Sequence, residues 1–253
     1  MKGCLKAVLI LFGVLIVLII VGVIAIKAVF PDNFNLISLL NNKPTDLGVT
    51  SSNEEYESYL KELNLEVTEV ECTENCVPKY SKETAKIEKA LTNEEGSSLI
   101  NGWGSNSRNA PFSDAQMRVN QDGTVEFSGK VITRKLKNFL SLSNNLTAEE
   151  SKQVDSYISM LGGSFPVYAK GTLEIINNKV DLNITSIKIS VLPLPTDIAS
   201  QYKGTVDSYI SNRLDSVEGL KVEKLEFKEG KTFFKGELPK SIELPVDPFV
   251  INN

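Results

Sequence analysis

Residues 7–26 carry no charge, and every one of them is Leu, Ile, Val, Ala, Gly or Phe. A helix needs about 20 such residues to cross a hydrocarbon core of about 30 Å. Lys6 closes the run on one side and Lys27 on the other. A core helix of a globular protein keeps a polar face, and this run has none. A cleaved leader carries a shorter apolar stretch, about 7–15 residues, ending at a small-x-small site. Ile26-Lys27-Ala28 is a poor site of that kind, so the sequence predicts an uncleaved anchor. Cys4 lies before the run, not after it as in a lipoprotein. It is either a palmitoylation site or a plain thiol at the membrane edge. Lys2, Lys6 and the amino terminus outweigh Lys27, which orients the N-terminus to the cytoplasm and the bulk of the chain outside it. Residues 1–29 are therefore read as a cytoplasmic tip and a single-pass signal anchor in the cell membrane.

About 225 of the 253 residues follow the anchor, enough for one domain with a stalk or for two small ones. The net charge of −5 argues against a nucleic-acid partner. Histidine is absent, which removes a Ser-His-Asp triad, a Cys-His pair and every histidine-ligated metal site. No cofactor is expected. Cys72 and Cys76 sit in Glu71-Cys-Thr-Glu-Asn-Cys76. Outside the cytoplasm their first reading is a small disulfide loop. Free thiols and a weak metal site are the alternatives, and the spacing is not that of a Cys-x-x-Cys redox motif.

Residues 30–90 read as a juxtamembrane linker and an acidic helical stalk. Pro31 and Pro44 break the first part, and acidic residues crowd from Glu54 to Glu74 around a helix at 53–65. The folded domain is assigned to 91–244. Thr92 and Glu95 form a capping box, Leu99, Ile100 and Trp103 make an apolar face, and Gly102 and Gly104 are read as the end of that helix. Asn120-Gln-Asp-Gly123 signals a hairpin. A further helix begins at Thr147, with Val154, Ile158 and Leu161 on its apolar side. Asn177-Asn178 turns between two long alternating strands, and the alternation changes phase near Thr185-Ser186, predicting a bulge. Ile198, Tyr202, Val206, Ile210, Leu214 and Val217 recur every three or four residues, the stripe of a long amphipathic helix from Thr196. Glu229-Gly230 turns the last hairpin, and 245–253 read as a tail. Helices and hairpins in this succession predict an α+β domain.

Two stretches echo each other. Gly123 is followed four residues later by Phe127 and six later by Gly129; Gly230 is followed likewise by Phe234 and Gly236. The echo is either an internal duplication or the common look of hairpins. Together with the helix start at 91–103 and the strand end at 187–195 leading into the helix at Thr196, these residues resemble bacterial YpmS-like membrane proteins and LmeA-like phospholipid-binding proteins. Those are related in shape to tubular lipid-binding (TULIP, BPI-like) domains. The resemblance covers 91–244 and leaves out the stalk and the cysteine pair. It implies a curved antiparallel sheet wrapped around the long helix, with an apolar groove able to hold acyl chains.

The sequence thus offers two non-catalytic functions. One is lipid binding or handling, with Phe127, Leu173, Ile175, Leu182, Ile184, Ile189, Tyr202, Val206 and Ile210 lining the groove or filling the core. Its partners would be the bilayer and a phospholipid, held at about 0.8 kcal/mol per buried methylene. The other is an interaction or scaffold module of the cell envelope, with a protein partner. An enzyme is not expected: Glu94-Glu95 and Glu149-Glu150 stand where acids favour a helix start. Asn145-Leu-Thr147 and Asn183-Ile-Thr185 fit the glycosylation sequon. Deleting residues 1–29 is expected to move the chain from the membrane pellet to the soluble fraction in a sedimentation assay; a truncated chain that still pellets, and resists carbonate, would refute the anchor.

Overall fold

The computed structural model describes residues 43–63, 65–73, 77–107, 110–136 and 163–246, with some side chains of the last helix left out. The expected anchor at 7–26, the helix expected from Thr147 and the sequon at Asn145 lie outside these residues. Among the described residues no helix is long and apolar enough to cross a membrane.

Strands dominate. The order is α1 (Asn53–Glu62), β1 (Glu66–Glu71), β2 (Lys79–Tyr80), β3 (Thr84–Leu91), α2 (Asn93–Asn106), β4 (Phe112–Val119), β5 (Val125–Ile132), β6 (Ser164–Ile176), β7 (Lys179–Ile189), β8 (Leu192–Pro193), α3 (Thr196–Asp215), β9 (Lys221–Lys228), β10 (Lys231–Pro239) and β11 (Ser241–Val246). β4-β5-β6-β7 form an antiparallel meander. β6 is long enough to carry a second partner: beyond its pairing with β5 it meets β9 at Ile175 and Ile176. Through β9 the sheet continues to β10 and β3. A small second sheet runs β1-β11-β2, with β1 and β11 parallel.

The expected α+β fold, a sheet curved around a long helix, is therefore corrected to a mostly β architecture. α3 carries the predicted stripe, and Val206, Ile210 and Leu214 are buried. The sheet does not enclose it, however. The helix lies along the edge of β7 and supplies what a further strand would. The N–H of Leu182 donates to Asp207 Oδ1 at 3.2 Å, and that of Val180 to Ser211 Oγ at 3.0 Å. One helical turn further, Asp215 accepts from the Asn178 side chain at 2.9 Å.

The opposite edge of the meander is treated in the same way. β4 donates from Val119 to Asn93 Oδ1 (2.8 Å), from Met117 to Ser97 Oγ (2.9 Å) and from Ala115 to Asn101 Oδ1 (2.8 Å), all on α2. The match is geometric. Four helical residues rise about 6 Å, and two strand residues about 6.6 Å, so side chains at i, i+4 and i+8 meet alternate strand amides.

The capping box at Thr92 forms, with Glu95 Oε2 accepting from Thr92 N at 2.8 Å and Thr92 Oγ1 from Glu95 N at 3.2 Å. The helix it opens does not stop at Gly102 or Gly104 but runs on to Asn106. A Cβ on Gly102 would strike the ring of Tyr56, and one on Gly104 the carbonyl of Phe112. These glycines permit close packing rather than termination.

The acidic segment read as a stalk is part of the fold. Tyr56, Tyr59, Leu60 and Leu63 of α1 and its C-terminal end are buried, and the helix packs on α2. Residues 241–246, the last two of them assigned to the tail, fill the slot between β1 and β2. The predicted bulge is present: Lys170 pairs with Ser186 and Gly171 with Ile184, leaving Thr185 over. The sequence echo has a shape as well. Gly129 lies opposite the irregularity between Ser113 and Gln116, and Gly236 beside the one at Lys235. In each hairpin the ring of the preceding Phe lies over the glycine: an added Cβ would sit 3.3 Å from Phe127 Cζ and 3.0 Å from Phe234 Cζ.

Because the α2 side chains replace a neighbouring strand, Asn101→Ala is expected to destabilise the fold by about 2 kcal/mol, the cost of stranding a partly buried amide. Asn93→Asp, which keeps the acceptor for Val119, is expected to change stability by less than about 0.5 kcal/mol. Urea unfolding of the two variants checks the difference; equal losses would refute the edge-capping account.

Candidate functional site

Side chains alternate across the meander, so one face collects Met117, Phe127, Val131, Phe165, Val167 and Ile187, and the other collects Gln116, Arg118, Glu126, Tyr168 and Lys170. On the polar face Glu126 is buried at 7 % exposure, an unusual place for a carboxylate. Its neighbours explain it. Arg118, directly opposite on β4, donates to Oε1 at 3.0 Å, and Asn120 donates to the same oxygen at 2.9 Å. Tyr168 on β6 donates its hydroxyl to Oε2 at 2.8 Å. Lys170, opposite on the other side, stands 3.9 Å from Oε1.

Burial alone would raise the carboxyl's pKa. The hydrogen bonds from Asn120, Arg118 and Tyr168, with the Arg118 charge, overcome it and hold the pKa down to about 2. Burial and the bond to Glu126 push Tyr168 up to about 12. An acid this strong makes a weak base, and a phenol this weak makes a poor nucleophile. The pair is thus suited to holding structure rather than to proton transfer near neutrality. Lys188 Nζ lies 5.2 Å from the centre of the Tyr168 ring and adds a cation–π contact.

What the cluster grips is the chain arriving from the N-terminal side. Arg118 Nη1 donates to the Leu47 carbonyl at 3.0 Å, and the Leu47 amide donates to Gln116 Oε1 at 2.6 Å. Leu47 and Val49 are both buried. A guanidinium fixed on one side by Glu126 thus clamps backbone on the other, and the segment at Leu47 is fastened to the face of the sheet.

The residues expected to line a lipid groove come together, but as a packed core. Leu173 and Ile175 on β6, Ile189 on β7 and Val206 and Ile210 on α3 are 0–5 % exposed and belong to one apolar cluster. Leu173 is paired with Leu182 across β6 and β7, and Ile184 with Gly171. Phe127, Leu182 and Ile184 are only partly buried against this core. Phe127 meets Phe112 edge-on, with centroids 5.3 Å apart. The side chain of Tyr202 lies outside the description. Cys72 is disulfide-bonded, and its backbone amide donates to Val246 at 3.3 Å; Cys76 lies outside the described residues. Among the described residues no three carboxylates or cysteines gather as metal ligands.

Sequence reasoning missed the Glu126 cluster. Half of it was within reach, because the turn at 120–124 fixes Arg118 opposite Glu126. No pattern in the sequence, by contrast, joins Tyr168 or Leu47 to that pair. No family model, curated protein or solved structure matches the chain, so the likeness to lipid-binding proteins rests on the sequence pattern alone.

Glu126→Gln is expected to cost about 2 kcal/mol at neutral pH, the scale of hydrogen bonds to a charged group. The folded pKa lies below the ordinary value of 4.5, so this stabilisation is complete above pH 4.5 and is lost as the pH falls towards 2. Thermal melts of the two proteins should therefore converge between pH 5 and 2, and a gap independent of pH would overturn the assignment.

Proposed function

We propose that this chain is a single-pass, membrane-anchored and non-catalytic module of the cell envelope, whose extracytoplasmic domain serves as a docking surface for protein. The observation that carries this reading is the clasp on Leu47. The chain leaving residues 7–26 reaches the sheet within about twenty residues and is there fastened by Arg118 and Gln116. A domain so held keeps a fixed relation between its entry point and its sheet, which suits a part that must present a surface near a bilayer.

The filling of the core supports the same choice over lipid carriage. Leu173, Ile175, Ile189, Val206 and Ile210 bury their apolar surface within one continuous cluster. An acyl chain would have to displace them, and interiors packed to crystal-like density resist that. The lipid reading keeps one observation in its favour, the partial exposure of Phe127, Leu182 and Ile184.

Native mass spectrometry of the full chain, released from mild detergent, separates the two. The docking module is expected to fly without lipid and to take up none from phosphatidylglycerol or phosphatidylethanolamine vesicles. A stoichiometric phospholipid that is lost in a folded Ile184→Trp variant would overturn it in favour of lipid handling.

A further inference from the structure

The eight-stranded sheet treats its edges unequally. On β4 the outward amides of Ala115, Met117 and Val119 are taken by α2; on β7 those of Val180 and Leu182 are taken by α3, and its far end pairs with the two-residue β8. Among the described residues the long edge without such a cover is β3, which pairs with β10 alone. Its pairing fixes which groups point outward. The Lys231–Lys228 pair closes the two-residue turn, so β10 turns its odd-numbered residues, beginning with Lys231, to β9 and its even-numbered ones to β3. The latter face Ala85, Ile87, Lys89 and Leu91. Thr84, Lys86, Glu88 and Ala90 consequently direct their N–H and C=O groups away from the sheet. All four are exposed, and their amides have no partner among the described residues.

We propose that the β3 edge is where two copies of this chain pair, antiparallel, about a two-fold axis through Ile87. The charges on the edge select this arrangement. With Ile87 opposite Ile87 of the second copy, Lys86 falls opposite Glu88 and Glu88 opposite Lys86. Thr84 and Ala90 fall opposite each other, so every outward amide meets an outward carbonyl. Moving the axis to residue 86 sets lysine against lysine, and moving it to residue 88 sets glutamate against glutamate. Directly opposed like charges destabilise a strand pair, whereas opposite ones support it. Centred on Ile87, the strand pairs each of its outward charges with the opposite charge of the second copy, the self-complementarity that a closed two-fold interface requires. The Glu88 side chain remains 78 % exposed beside Lys235, at 3.7 Å, so it is available across the interface.

This inference rests on the reading of the chain as a docking module and names its partner as a second copy. Two copies anchored in one membrane meet at a raised effective concentration, so a modest interface suffices.

Sedimentation velocity of the full chain in mild detergent, over a range of protein concentrations, tests it. Wild type is expected to dimerise reversibly. Lys86→Glu and Glu88→Lys should each weaken the dimer about tenfold, since each turns two symmetry-related attractions into repulsions. The K86E/E88K double variant restores both pairs in the same register and should recover the wild-type constant. Each reversal also sets like charges opposite each other within the sheet, residue 86 against Glu237 and residue 88 against Lys235. The melts should therefore fall slightly in the single variants and no further than the sum of the two in the double, and a cooperative melt in each shows that the fold is intact. A wild-type monomer throughout, a dimer indifferent to the single reversals, or a double variant no better than either single one would each overturn the proposal. So would amide exchange at Lys86, Glu88 and Ala90 that stays slow on dilution, which would give the edge to another segment of the same chain. Loss of the dimer leaves the docking reading open to another protein partner, while a bound phospholipid defeats that reading and leaves the sedimentation result standing.

Discussion

A β-sheet ends in rows of unpaired amides and carbonyls, and how those rows are satisfied governs the rest of this structure. Along β4, and along β7 up to Leu182, the partners are not strands but side chains of helices. Asn93, Ser97 and Asn101 serve one edge, and Asp207 and Ser211 the other. Short polar side chains suit this task because they reach the strand without pushing the helix away. Each helix must then lie parallel to its edge strand, and that fixes where its apolar residues fall. Val206, Ile210 and Leu214 turn onto the core because Asp207 and Ser211, on the adjoining face, are held at β7. These stretches of edge are thereby closed to pairing with other chains.

The two halves of the sheet meet through β6 and through the turns. Asn177 and Asn178, both at positive φ, bend the chain between β6 and β7. Asn178 also accepts from the Val222 amide at 2.7 Å and donates to Asp215, so one turn residue ties together β7, β9 and α3. The turn glycine of the first hairpin abuts the second: a Cβ on Gly123 would lie 2.9 Å from the Phe227 carbonyl. The hairpins that echo in sequence are therefore joined tip to strand, and their glycines serve close contact as well as turning.

Electrostatics on the polar face follows from the same strand pairing. Register sets Arg118, Glu126 and Lys170 in a row across three strands, and a single carboxylate there can satisfy several donors at once. The burial that would otherwise penalise Glu126 is what gives those hydrogen bonds their strength. Through Arg118 the row reaches the Leu47 backbone, so the seat of this segment on the domain is set by charge placed on the sheet.

Local rules fixed much of this protein before any tertiary contact. The uncharged run at 7–26, the Thr92–Glu95 box, the turns at Asn120–Gly123, Asn177-Asn178 and Glu229-Gly230, and the bulge at Thr185 follow from nearby residues, since caps, turns and alternation are decided within a few positions. The burial of Val206, Ile210 and Leu214 was legible for the same reason. What the sequence could not decide was which element each apolar face would meet. The stripe on α3 looks the same whether a sheet encloses the helix or the helix closes a sheet edge, because periodicity reports a buried face and not its neighbour. The acids around α1 looked like a solvated stalk, though Tyr56, Tyr59 and Leu60 between them are buried. The Glu126 cluster joins residues 42 positions apart, and the clasp on Leu47 spans 71. Contacts at such separations are made by strand order, and strand order is a property of the whole sheet.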